Sequence, residues 1–265
     1  MQRKRRKCEK KFAFITCVNN ETQYRECVQH IDALEVPQGF SVEKLSINGA
    51  RNIAEGYDRA MRLSDAEFKV YLHQDTFVKN TQFLADTYRV FESDAAIGMM
   101  GVVGARKLPD SGVWFENNWW HSYGVLFECR RGGFLHSVLG PLNKRKERTI
   151  RFKKVRGSSM PVVVIDGLIM VTRYDVPWRT DLYGGFVYYE GPHCVEFIKR
   201  GYKVVIPGQR VPWVMHYGPP LEKSDFEKEK LAESLANNAE KFRNEYPEFI
   251  GGDVKSLLAR YTGAA

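Results

Sequence analysis

Residues 68–78, FKVYLHQDTFV, run an apolar strand, Phe68 to Leu72, straight into a polar turn, His73-Gln74-Asp75. A carboxylate there has little structural reason to be present and good access to a ligand beyond the strand's carboxyl end. Taken alone, Asp75 serves equally well as a turn or helix cap. The choice depends on what the flanking segments build.

Upstream, FAFITCV (12–18) ends in Asn19-Asn20 and reads as a buried first strand entering a loop. Tyr24, Cys27, Val28, Ile31 and Leu34 then recur at helical spacing, and Pro37 and Gly39 stop the pattern before a second strand at about 41–47. Asn48-Gly49 turns the chain into another amphipathic helix, with Ala50, Ile53, Ala54, Tyr57 and Met61 as its apolar face. Downstream of the turn a helix is expected at about 80–93 and a strand at 96–103. This alternation predicts an α/β fold with a mostly parallel sheet covered by helices.

From 105 to about 160 the periodicity fails. The segment holds Trp114, Trp119, Trp120, Gly132-Gly133 and a basic run, which predicts hairpins and a mobile loop inserted on the active-site face. A single strong strand at 162–172 (VVVIDGLIMVT) then restores the core, followed by a loop and helix around Asp181 to Lys199, a strand at Lys203 to Ile206 and an extended piece ending at His216. Residues 222–246 read as a charged helix with Leu231, Leu235, Phe242 and Tyr246 on its buried side.

The composition is that of a folded soluble protein: 265 residues, 43% hydrophobic, enough for a full core. Aromatic residues make up 13%, concentrated around 114–123 and 183–189, where they are expected to line a site as well as fill a core. Five cysteines in no paired spacing argue against a disulfide framework and a zinc site and favour a reducing, cytoplasmic setting. No apolar run is long enough for a membrane span. The net charge of +8 comes from residues 1–11 and 143–156, which leave the remainder acidic. Such clusters suit anionic lipid headgroups, lipid diphosphates or nucleic acid, and they also suit a solvated tail and loop.

Four more polar residues join Asp75. His216, in VPWVMHYGPP, follows an apolar extended run and could be a second metal ligand, or an ordinary strand-end histidine. Asp166 interrupts VVVI and LIMV and should be paired if buried, while Gly167 after it permits close approach of a ligand to the backbone. DLYGGFVYYEGPHCVEF holds Asp181 and Glu190 just before a helix, where either could be a general base and Glu190 equally an N-terminal acid favoured by the helix dipole. The chain has no P-loop, G-x-G-x-x-G, H-E-x-x-H or G-x-S-x-G, so kinase, dehydrogenase, zinc-protease and hydrolase readings lose their main support.

Read in order, FAFITCVNN, NGARNIAEGYDRAM, FKVYLHQDTFV, VIDGLIMVTR, GGFVYYE, GYKVVI and VMHYG form a set spanning about 12–218. That set resembles the family 2-like glycosyltransferases of bacteria, in particular the branch found in capsule and cell-surface polysaccharide clusters. The resemblance implies a GT-A fold with a Rossmann-like sheet, a nucleotide-diphosphate sugar donor with a preference for uridine, and manganese or magnesium. His73-Gln74-Asp75 is similar to the family's D-x-D element, with Asp75 in the metal-diphosphate role and His73 in place of the first acid. Thr16 and Asn19 match the loop that holds the nucleobase and ribose, and Arg51 and Tyr57 the helix lining the nucleotide pocket. Asp166 and Gly167 match the segment that meets the sugar, and His216 a histidine that completes metal binding. Glu190 falls where the family carries its base, with Pro192 in place of the next acid and Asp181 as the substitute.

The expected organisation is a basic tail at 1–11, a catalytic domain at 12–220 and a C-terminal helical extension at 221–265. The expected reaction is inverting transfer of a hexose to a saccharide or lipid-linked acceptor hydroxyl, at the inner face of a membrane. Two competing readings are a degenerate, non-catalytic membrane- or phosphate-binding module and a nucleotidyltransferase. Nucleic-acid binding ranks lower, since no recognised motif accompanies the basic runs.

Overall fold

The computed structural model describes residues 7–130, 146–218 and 225–262. The chain begins with β1 (Cys8–Val18), α1 (Glu21–Asp32), β2 (Ser41–Asn48), α2 (Ile53–Leu63) and β3 (Ala66–Leu72). Phe12 to Ile15 are buried on both faces of β1, as a central strand requires. Asn20 caps α1 by accepting from the amides of Thr22 and Gln23, and Asn52 caps α2 by accepting from Glu55 N at 2.8 Å. β1 starts inside the stretch expected to be a basic tail, because it pairs parallel with β2 and β3 and its lysines find acids. Lys11 Nζ lies 2.8 Å from Glu43 and 2.7 Å from Asp65. Residues 1–6 of that tail lie outside the described residues.

Next come β4 (Thr76–Val78), α3 (Phe83–Glu92), β5 (Ile97–Met100), β6 (Val103–Ala105), β7 (Ser122–Arg130) and β8 (Lys146–Arg151). The stretch expected as one strand at 162–172 is divided into β9 (Ser159–Val162), β10 (Val164–Ile165) and β11 (Ile169–Thr172). The break falls where Asp166 Oδ1 accepts from Leu168 N at 2.8 Å, turning the chain from one sheet into the other. The remaining elements are α4 (Glu190–Lys199), β12 (Lys203–Pro207), β13 (Val214–Gly218), α5 (Asp225–Glu245) and α6 (Val254–Thr262).

A seven-stranded sheet has the order β2-β1-β3-β11-β5-β12-β9. It is mixed rather than mostly parallel: β11 inserts antiparallel between β3 and β5, and β9 runs antiparallel to β12. A second sheet runs β10-β6-β7-β13-β4, with β8 on β7. The aromatic and basic segment therefore supplies strands to a sheet that also holds β4 and β13, which makes it a structural part of the site rather than an attachment to it. The part of its expected mobile loop at 131–145 lies outside the described residues. No disulfide involves any of the five cysteines.

The C-terminal helices share the same core. Phe242, Tyr246, Phe249, Val254 and Leu257 are buried in it, and Tyr246 Oη donates to Glu196 at 3.0 Å. Leu235 is half-buried, whereas Leu231 is 39% exposed and does not join the buried side expected for it. Lys69, in the middle of β3, is fully buried and pairs with Asp175 at 2.7 Å. No helix among the described residues is long and apolar enough to cross a membrane.

Candidate active site

The turn after β3 is held by backbone bonds from His73 N to Leu168 O at 3.1 Å and from Thr76 N to His73 O at 3.1 Å. β4 then pairs with β13 in a register that sets Thr76 opposite His216, and Tyr217 N donates to Asp75 O at 2.7 Å. Strand register thus brings together two residues 141 positions apart. Asp75 Oδ1 is buried and accepts no hydrogen bond among the described residues. His216 Nε2 lies 3.6 Å from it and His73 Nδ1 3.9 Å, both beyond hydrogen-bond range. Burial works to raise the Asp75 carboxyl, but the His216 and His73 imidazoles outweigh it and hold the group below its ordinary value. Burial holds His73 below the usual imidazole value, while Asp75 overcomes the burial of His216 and raises it.

A cavity of about 250 Å³ opens beside this group, lined by Cys17, Asn19, Ile47, Ala50, Ile53, Tyr57 and the turn itself. Asn19 and Tyr57 are both at its wall. Tyr57 is fully buried and donates to Leu72 O at 3.2 Å. Thr16 and Arg51 do not line this cavity. The pleat of β1 turns Thr16 away and Cys17 toward α2, where a Cβ on Gly56 would lie 2.5 Å from the Cys17 sulfur. Arg51 is 85% exposed and pairs with Glu55 one turn on. Gln74, unremarked in the sequence, ties the first-strand loop to the turn: its Oε1 accepts from Asn19 N at 3.0 Å and Asn20 N at 2.9 Å. Its place between His73 and Asp75 was the only signal available.

A second cavity, of about 260 Å³, is lined by Asp166, Gly167, Tyr188, Tyr189, Glu190, Phe115, Leu231 and Leu235. His73 and Phe186 line both cavities, so the two meet there. Joined, they reach the size of small-molecule sites, roughly 300–1,000 Å³. Glu190, at the start of α4, is 8% exposed, and burial, with Asp166 adding, pushes its carboxyl up to about 8. Asp166 is half-buried, and its Oδ1 accepts from Leu168 N. Asp181 lines neither cavity; it is exposed and held by the Arg179 guanidinium at 2.9 Å.

Gly167 is approached closely by a side chain of the protein, since a Cβ there would lie 2.6 Å from the Tyr189 hydroxyl. That hydroxyl donates to Gly167 O at 3.0 Å and is hydrogen-bonded to His73 Nε2. Tyr188, one residue earlier, has φ +66°, a left-handed conformation that costs a side-chain-bearing residue about 1 kcal/mol or more. The Tyr188 hydroxyl reaches Gly112 O at 2.7 Å. Phe186, 53% exposed, sits on a loop fastened from two sides: Ile53 N donates to Gly185 O at 3.1 Å, and Asn238 of α5 donates to Gly184 O and Val187 O. Tyr189 belongs to the aromatic cluster at 183–189 expected to line a site, but its partner His73 and the role of Asn238 lie far along the chain and carry no local signal.

Two imidazole nitrogens and an orphaned carboxylate oxygen lie within 4.8 Å of one another, a donor set of the kind that suits a divalent cation. His73, Asp75 and His216 fit such a cation.

The model of the glycosyltransferase-like family matches residues 13–239. Among solved structures, a mannosyltransferase of Pyrobaculum calidifontis, determined in complex with GDP-Man and Mn2+, superposes with a TM-score of 0.53 at 11% identity, over 96% of this chain and 68% of that one. TarS of S. aureus, residues 1–349 in complex with UDP-GlcNAc, gives a TM-score of 0.49 at 10% identity, over 95% and 71%. Comparison with curated proteins finds no match.

Proposed function

The chain belongs to the glycosyltransferase-like family and has its GT-A type of fold, and from that premise we propose that it moves a hexose from a nucleotide-diphosphate sugar, uridine-linked, to a saccharide or lipid-linked acceptor hydroxyl in cell-surface polysaccharide synthesis. The observation that carries this reading is the meeting of two cavities at His73, one beside the His73–Asp75–His216 group and one holding Glu190.

In this reading the first cavity takes the nucleotide. Ile47, Ala50 and Ile53 offer apolar contact to the base, Asn19 and Tyr57 lie at its wall, and Asp75 and His73 face the diphosphate, with His216 beside Asp75. A divalent cation held there, manganese or magnesium, would neutralise charge on the leaving diphosphate. Asp166 and the Gly167 backbone border the sugar, and Phe186 lies where the nucleotide cavity meets the one for the sugar and acceptor. Glu190 takes the proton of the acceptor hydroxyl, whose oxygen forms the new bond to the anomeric carbon as the bond to the diphosphate breaks. The nucleoside diphosphate departs with that electron pair, and attack from the opposite face inverts the anomeric centre.

The acceptor side also supports work at a membrane surface. Phe115, Trp119 and Trp120 are more than half exposed, Trp119 and Trp120 stack at 3.7 Å, and exposed Arg151, Lys153, Lys154 and Arg156 lie on and beyond β8, which pairs with β7 just past them. Aromatic rings beside basic side chains suit an anionic lipid interface. These features support the reading of a peripheral enzyme at the cytoplasmic face of a membrane.

Release of nucleoside diphosphate from a sugar nucleotide, with the sugar recovered on the acceptor and the release lost in Glu190→Gln, is the test. Release of pyrophosphate from a nucleoside triphosphate instead would contradict it.

A further inference from the structure

The Tyr189 hydroxyl has one proton and two neighbours. Gly167 O, 3.0 Å away, is a carbonyl oxygen and can only accept, so the proton lies on that side. The hydroxyl then has only lone pairs to offer His73 Nε2, with which it is hydrogen-bonded, and Nε2 must carry the imidazole's N–H. A neutral imidazole has a single N–H, which leaves Nδ1 as a bare lone pair. Nδ1 faces Asp75 Oδ1 at 3.9 Å, and His216 Nε2 faces the same oxygen at 3.6 Å. Lone pairs of Nδ1 and of a carboxylate oxygen that no donor approaches within hydrogen-bond range, pointing into one gap, describe a cation's place.

We propose that Tyr189 is a positioning residue that locks His73 in its Nε2–H tautomer, so that Nδ1 joins Asp75 and His216 in a three-ligand site that selects a first-row transition-metal cation over magnesium. The proposal deepens the donor-site reading and rests on it only for the use to which the cation is put.

Three features hold the arrangement in place. The Tyr189 ring is buried against Tyr57 and Trp178, with centroids 6.0 and 6.2 Å apart, so its hydroxyl has little freedom to turn elsewhere. Residue 167 has no Cβ to displace that hydroxyl. The left-handed backbone at Tyr188 sends its own ring to Gly112 while Tyr189 reaches His73. Selectivity follows from the donor atoms. Magnesium demands near-octahedral oxygen ligation and gives up water reluctantly, whereas two imidazoles with one carboxylate suit manganese, cobalt and their neighbours.

The test uses the full chain free of metal and nucleotide, with nitrogen-15-labelled histidine. Long-range proton–nitrogen correlation spectra, with His73 assigned by its absence from His73→Gln, are expected to show the Nε2–H form in the wild type and a mixture in Tyr189→Phe. Calorimetric titration is expected to show manganese bound more tightly than magnesium by the wild type, and a loss of about 10–100-fold in manganese affinity in Tyr189→Phe. An Nδ1–H tautomer in the wild type, a wild type that prefers magnesium, or equal manganese affinity in the two proteins would overturn the proposal. The spectrum of the wild type decides even if the variant fails to fold. Sugar transfer by a protein whose His73 is Nδ1–H would overturn this inference alone. An Nε2–H, manganese-preferring site without transfer would support it and sink the donor reading.

Discussion

His216 Nε2 lies 3.6 Å from Asp75 Oδ1, and it is there because Thr76 and His216 face each other across β4 and β13. That separation is beyond hydrogen-bond range, and in the proposed site His216 serves as a cation ligand. His216→Ala should therefore weaken manganese binding by more than about 10-fold while leaving metal-free nucleotide binding close to wild type. Titration calorimetry with and without manganese checks this, and an equal loss in both conditions would point to a collapsed pocket instead.

In the proposed reaction the pH dependence comes from Glu190. A base must be ionised to accept a proton, and this carboxyl is held up to about 8, so kcat/KM should rise with pH through that region and level off above it. Glu190→Gln should lower the rate by roughly 10²–10⁴-fold and remove the limb. The sign for stability is opposite. Because the folded value is raised above the ordinary 4.5, the group's contribution to folding is fully present below 4.5 and is lost as pH rises through about 8. Denaturant titrations at pH 6 and 9 should show a smaller alkaline loss of stability in Glu190→Gln.

Lys69 tests the fold rather than the site. It is buried inside β3, its ammonium pairs with Asp175 and it donates to Ala66 O at 2.9 Å. Asp175→Ala removes the compensating charge and should destabilise the protein by roughly 3 kcal/mol, read as a fall in the urea midpoint. Lys69→Met should cost less, since it removes the buried charge as well.

Binding to vesicles containing anionic lipid should weaken with salt. Replacing Arg151, Lys153 and Lys154 together by Glu should reduce that binding by on the order of 100-fold or more, at about 1 kcal/mol per basic residue lost. Trp119→Ala with Trp120→Ala should weaken it further. Equal, salt-insensitive binding to neutral and anionic vesicles would count against the membrane-facing surface.

Elements whose signal is local could be read from sequence. Asp75 and His216 each end an apolar run, and the helices carried their own caps and stops. The mixed character of the main sheet could not be read, because β11 enters it antiparallel from a hundred residues away and periodicity carries no strand order. The resemblance points to Thr16 at the nucleotide, but it is the neighbouring Cys17 that faces the cavity. At Arg51 a one-turn ion pair with Glu55 draws the side chain into solvent. Asp181 looked like Glu190 in sequence, yet Arg179 holds it at the surface while Glu190 is buried. Gln74, Tyr189 and Asn238 shape the site through hydrogen bonds to partners 55, 116 and 54 positions away, a kind of information no sequence window contains.

The most direct test of a metal-assisted sugar-nucleotide site is calorimetric binding of a panel of nucleoside diphosphates and sugar nucleotides, with and without manganese, to the wild type and Asp75→Ala. The account predicts that one sugar nucleotide binds with manganese, that binding weakens without it, and that Asp75→Ala loses the metal-dependent part. Binding to neither protein across the panel, or binding that is indifferent to manganese and to Asp75, would contradict it.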